Sequence, residues 1–144
     1  MEKHMQIVYS YFALDIIHRG HLLMMKNAKA IAGSEGKLIV GIVSDEALIA
    51  VKGRPPIITF SERLELAQAI SYIDLVVAQE EYSPLVNVKL IKPTVLMESE
   101  SHDEAQINEG RELMESLGGR VITMPYFKGQ SSTLIKQKFV QNQE

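Results

Sequence analysis

Gln6-Ile7-Val8-Tyr9-Ser10, followed within a few residues by Asp15-Ile16-Ile17-His18-Arg19-Gly20-His21, decides how this chain is read. The first run is short, apolar and β-branched, and reads as a strand. The second leads into a helix-like run that ends near Ala32. Two imidazoles with a glycine between them therefore stand where a strand hands over to a helix. A helix start offers unpaired N–H groups and the positive end of a dipole, which suits anions and phosphates above all. Gly20 carries no Cβ and lets a ligand come close to the backbone.

The same alternation continues outward from this junction. Residues 5–10 read as the first strand and 20–32 as the first helix, with Leu23, Ala28 and Ile31 facing inward and Met24 and Met25 as core or gap-fillers. Gly33-Ser34-Glu35-Gly36 is the helix exit. Residues 37–43 form a nearly continuous apolar strand, the kind covered on both faces in a parallel sheet. Residues 52–56, Lys-Gly-Arg-Pro-Pro, read as a loop. Thr59 and Glu62 have capping-box spacing and open a helix to about Ser71. Strands follow at 73–78, 94–97 and 120–124, separated by helices over 83–91 and from a second capping box at Ser101 and Glu104 to Gly118-Gly119. Ser131-Ser132-Thr133 opens the last helix, running to about Val140.

About five parallel strands alternating with helices predict an α/β fold: a single-domain, Rossmann-like, doubly wound sheet over residues 1–144, with helices on both faces. In such sheets ligands bind beyond the carboxyl ends of the strands, where the strand order reverses. The loops after the first strand and after residues 43, 97 and 124 are expected to converge there.

Composition narrows the function. The 144 residues are 46% hydrophobic and 23% charged with a formal net charge of −3, and there is no cysteine. A disulfide framework and a cysteine-based zinc site are excluded. No basic stripe exists for nucleic acid, and no apolar run reaches membrane-spanning length. The first residues lack the apolar stretch of a signal peptide, so a cytoplasmic protein is expected.

Several residues carry possible chemistry. His18 and His21 can donate to phosphoryl oxygens, or one caps the helix while the other is a surface group; a zinc pair is a further option, without an obvious third ligand. Lys52 and Arg54 flank Gly53 and either clamp a triphosphate or form a solvated turn. Arg63, on an inward helix stripe, needs an anion, either a phosphate or a structural carboxylate. Ser131, Ser132 and Thr133 either bind a second phosphate or cap the helix. Asp15 holds the first loop or assists magnesium. His4 and His102 have no supporting context.

His18-Arg19-Gly20-His21 after a first strand resembles the His-x-Gly-His signature of the cytidylyltransferase-like nucleotidyltransferases. Residues 131–135, Ser-Ser-Thr-Leu-Ile, resemble that family's second signature, and 52–56 with 61–63 resemble its basic loop and helix arginine. The similarity covers residues 5 to 139 and is greatest to heptose-1-phosphate adenylyltransferases of lipopolysaccharide core synthesis, through the aromatic-bearing run 126–133 and Gly118-Gly119-Arg120-Val121.

The resemblance implies attack by a phosphorylated acceptor, such as a sugar phosphate, on the α-phosphorus of a nucleoside triphosphate. Pyrophosphate leaves and Mg2+ accompanies the nucleotide. ATP is favoured over CTP, and a cytoplasmic homodimer without nucleic-acid or membrane partners is implied. His18, His21 and Lys52 would act at the reacting phosphate. Phe12, Ala13, Asp15, Gly20, Arg63, Ser131, Ser132 and Thr133 would bind the nucleotide and its phosphates, with no protein-held metal. Two departures stand out: Phe12 replaces a usual glycine, and Glu98-Ser99-Glu100 stands where glycines and an aspartate are usual. Alternative outcomes are a glycerol-3-phosphate cytidylyltransferase, an FAD synthetase-like enzyme or a non-catalytic nucleotide-binding module.

Overall fold

The computed structural model describes residues 5–125 and 132–142. The elements, in chain order, are β1 (Ile7–Phe12), α1 (Arg19–Ala32), β2 (Lys37–Val43), α2 (Asp45–Lys52), α3 (Phe60–Gln68), β3 (Leu75–Gln79), α4 (Leu85–Ile91), β4 (Val95–Ser99), α5 (Glu104–Ser116), β5 (Arg120–Met124) and α6 (Ser132–Asn142). The five strands make one sheet in the order β3-β2-β1-β4-β5, and every pairing is parallel. β1 lies between β2 and β4, with Val8 opposite both Leu38 and Val95. The order reverses beside β1, so the carboxyl ends of β1 and β4 flank the crevice where this architecture binds ligands.

Alternation along the central strands divides the core in two. Val8, Phe12, Leu38, Val40, Ile42, Val95 and Met97 pack with Met25 and Ala28 of α1 and Ala67 of α3. Tyr9, Tyr11, Val43 and Leu96 point to the opposite face and pack with Leu48 of α2, Val88 of α4 and Met114 of α5. Helices thus cover both faces, as expected for strands with almost no polar positions. Burial of these side chains supplies the main driving force for the fold. Met25 is fully buried core, while Met24 is half-buried and reaches the crevice.

Some boundaries differ from the sequence reading, each for a local reason. α2 is an additional helix, capped by Ser44, whose hydroxyl accepts from the Ala47 N–H, and stopped by Gly53 in the left-handed region at φ 75°. β3 begins at Leu75 because the Asp74 carboxylate turns back to accept from the Leu38 N–H and from Lys29. Neither expected capping box forms. Thr59 occupies its cap position without a side-chain bond to the helix backbone, and Asp103, not Ser101, caps α5. β4 runs through Glu98 and Ser99, and all five of its residues are buried. Glu98 is therefore part of the sheet and not of the loop after it.

Candidate nucleotide-binding site

The chain leaves β1 through Ala13 and Leu14, and Leu14 adopts φ 55°. A branched side chain in the left-handed region costs on the order of 1 kcal/mol, and such strain gathers at functional turns. The loop is held from three sides. Arg63 is fully buried and donates to the carbonyls of Ala13 (2.6 Å), Val43 (2.8 Å) and Ile58 (3.0 Å) and to Asp45 (2.6 Å). Of the two partners left open for Arg63, the structure supplies the carboxylate. Its guanidinium ties the loops after β1 and β2 together and is not presented to the crevice. Asp15 is buried as well, accepting from the Ile58 N–H (2.8 Å) and pairing with Lys136 of α6. Burial alone would raise its carboxyl, but the hydrogen bonds from Lys136 and the backbone outweigh it and hold the group below its usual range. Asp15 is thus the loop-holding residue.

The histidine pair builds the start of α1. His18 is the N-cap, and its Nδ1 accepts from the Gly20 N–H at 3.0 Å. His21 Nδ1 accepts from the His18 N–H at 3.2 Å, so two imidazoles form a reciprocal capping box. An imidazole nitrogen that accepts carries no proton, so in both neutral rings the proton sits on Nε2. The rings lie 3.9 Å apart and His21 meets the edge of Phe12 at 5.8 Å. Burial, with His18 beside it, pushes His21 down to about 4, and burial lowers His18 too. At neutral pH the pair offers two fixed, uncharged N–H donors. Phe12, at the place of the usual glycine, packs against His21 in a T-shaped ring contact.

Both histidines line one continuous crevice together with Ala13 and Lys52. One end is bordered by Asp15, Arg54, Pro55, Ser132, Thr133 and Lys136. This end gathers the cations Lys52, Arg54 and Lys136. Lys52 and Arg54 are exposed on either side of the left-handed Gly53. The Ser132 hydroxyl donates to the Ile16 carbonyl at 2.9 Å, which anchors α6 to the first loop and leaves Thr133 on the crevice wall. Ser131 lies outside the described residues, as do His4 and residues 126–130. Gly20 lines the other end with Phe12, Met24, Tyr82, Ser99, Ser101 and His102.

The site thus brings together His18, His21, Gly20, Lys52, Phe12, Ala13, Asp15, Ser132 and Thr133, with Arg63 behind them. Lys136 and His102 were not foreseen. Lys136 stands one helical turn beyond Ser132, a spacing the sequence does show. His102 joins the site only because β4 and its following turn carry it there. Among the described residues no group of three or more His, Asp or Glu side chains is placed to hold a metal ion.

The Cytidylyltransferase-like family model matches residues 13–138. The chain belongs to the cytidylyltransferase-like family. It is similar to proteins named "Bifunctional protein HldE": 32% identical over 140 residues to that of Trichlorobacter lovleyi and 31% over 136 residues to that of Geobacter metallireducens. These alignments cover 96% and 94% of this chain but only 28% and 27% of the relatives, so the chain spans about a quarter of their length. The fold resembles that of a lipopolysaccharide core biosynthesis protein from Thermoplasma volcanium, with a TM-score of 0.69, 24% identity and coverage of 88% of this chain and 100% of the other.

Proposed function

We propose that this chain is a nucleotidyltransferase that moves a nucleotidyl group, adenylyl by its likeness to the HldE proteins, from a nucleoside triphosphate to a phosphorylated acceptor such as a sugar phosphate. One observation carries the reading: the Nε2–H donors of His18 and His21 share a crevice with Lys52, Arg54, Thr133 and Lys136. A triphosphate laid along this row meets cations at its outer phosphates and the histidines at its α-phosphate. Magnesium travels with the nucleotide, where it offsets charge on the phosphates.

In the step itself, an acceptor phosphate oxygen forms a bond to the α-phosphorus. The bond from that phosphorus to the bridging oxygen breaks, and pyrophosphate departs with the electron pair. The attacking phosphate is already an anion, so no base is needed. Catalysis reduces to alignment and to donors aimed at oxygens whose charge grows in the transition state. The two histidine N–H groups are fixed by the backbone before substrate arrives, so they need no reorganisation. Mg-ATP or Mg-CTP mixed with sugar 1-phosphates and polyol phosphates should release pyrophosphate, and His18→Ala should abolish the release. Nucleotide binding by calorimetry with no release from any acceptor would instead establish a binding module.

A further inference from the structure

The acceptor end of the crevice contains a buried polar cluster that nucleotide binding does not use. Glu98, at the end of β4, is 1% exposed. It accepts from the Tyr11 hydroxyl at 2.8 and 3.0 Å and contacts His102 Nδ1 at 2.5 Å. Gln106 of α5 donates to the Tyr11 oxygen, also at 2.5 Å. The His102 ring stacks on Tyr11 with centroids 5.1 Å apart and an interplanar angle of 26°. Tyr11 has one hydroxyl hydrogen, and since its contacts with Glu98 at 2.8 and 3.0 Å are shorter than its 3.2 Å contact with His102 Nδ1, the hydrogen goes to Glu98. A carboxylate has only lone pairs to offer, so the hydrogen in the Glu98–His102 contact sits on Nδ1. The remaining nitrogen, Nε2, is then bare in the neutral ring. It has no partner among the described residues, and His102 lines the same end of the crevice as His18 and His21.

We infer that His102, oriented by Glu98 and Tyr11, accepts a hydrogen bond from a hydroxyl of the phosphorylated acceptor and so sets which acceptors bind. This rests on the transferase reading above and adds what the acceptor must carry. The surroundings agree. Apart from the histidines, Lys52 is the one cation among the described residues that line this end. The acceptor phosphate therefore belongs beside Lys52 and the histidine pair, and its hydroxyl-bearing portion reaches toward His102. Ser99 and Ser101 share one hydrogen bond at 2.7 Å, so one of their two hydroxyl hydrogens remains to donate beside His102. The wall supplies one acceptor and one donor, the complement of a vicinal diol.

Two measurements on the full chain test this. Long-range nitrogen–proton NMR of the imidazoles, assigned by loss of signal in His102→Gln, should find His102 protonated at Nδ1 and bare at Nε2, the opposite of His18 and His21. In Glu98→Gln the new amide can donate to Nδ1, and the His102 tautomer should invert. Pyrophosphate release is then measured with glycerol 3-phosphate and a set of sugar 1-phosphates. His102→Ala should raise the acceptor KM about tenfold, the loss expected for one hydrogen bond to a buried polar group, and leave the nucleotide KM unchanged. His102→Gln, which retains an acceptor oxygen, should recover part of that loss. Deoxy analogues of the best acceptor should be disfavoured by the wild type and not by His102→Ala. An Nε2–H on His102 in the wild type, unchanged acceptor KM in His102→Ala, or turnover only with phosphates that lack hydroxyls would overturn the inference and leave the transferase reading standing. No release from the wild type with any acceptor would overturn both.

Discussion

The two ends of the crevice use the same side chain in opposite senses. At the nucleotide end, His18 and His21 take backbone N–H groups on Nδ1 and so turn N–H donors outward. At the acceptor end, the Nδ1 of His102 faces a carboxylate, so the ring turns a lone pair outward. An imidazole's chemistry is set by what holds its far nitrogen. Backbone amides prepare a ring for phosphate, and a buried carboxylate prepares one for a hydroxyl. The supports also differ in reach. The nucleotide-end pair is wired within four consecutive residues, whereas Glu98 and Tyr11 are 87 positions apart in the chain.

The largest effect on this contrast should come from removing the brace behind the nucleotide end. Arg63→Met leaves Asp45 and three carbonyls without their shared donor and should cost about 3–5 kcal/mol of stability in urea titration, in line with breaking a buried ion pair. A loss below about 1 kcal/mol, typical of an exposed pair, would show that the guanidinium is not the tie between the loops. Next in size, His21→Ala should lower kcat by roughly 10²–10³, the cost of one preorganised donor, with the sheet intact by circular dichroism. An unaltered kcat would remove the nucleotide end from the chemistry.

Acid should act on the nucleotide end in a defined direction. The His21 ring falls to about 4 in the folded chain, against roughly 6.5 when unfolded. Between those values the unfolded chain binds more protons than the native one. Stability is therefore full above pH ~6.5 and declines as pH falls toward 4, and His18 shifts in the same direction. Unfolding free energies measured over this range should show a shallower acid limb in His21→Asn, and an identical limb would refute the assignment. The smallest effect is expected at the rim. Lys136→Met, which takes the cation from the buried Asp15 carboxylate but leaves its Ile58 N–H donor, should destabilise by about 1–2 kcal/mol. It should still raise the nucleotide KM several-fold, with the acceptor KM unchanged.

Much of this was legible in the sequence because it is local. A β-branched run, a turn and a His-x-Gly-His helix start lie in one short stretch, and the reciprocal capping of the two histidines closes within it. The five strands were legible because both faces of the sheet are covered, which leaves apolar runs. What depends on tertiary partners was not. Arg63 offered a phosphate or a carboxylate, and only the folded approach of Asp45 and three carbonyls decided between them. His102 showed no context because its partner Glu98 lies across the end of a strand and a turn, and Tyr11 comes from another strand. The additional helix α2 escaped because its apolar run, Ala47 to Val51, is continuous and too short to show a period.

Among the described residues of α6, none is buried, and the helix meets the first loop through Ser132 to Ile16 and Lys136 to Asp15. Elements with little apolar burial open locally, far below the cost of global unfolding. Amide hydrogens of α6 should exchange quickly in the free chain, while those of β4 wait for the whole sheet to come apart. A triphosphate that touches Thr133 and the first loop together would slow α6 alone, making the last helix a reporter of occupancy.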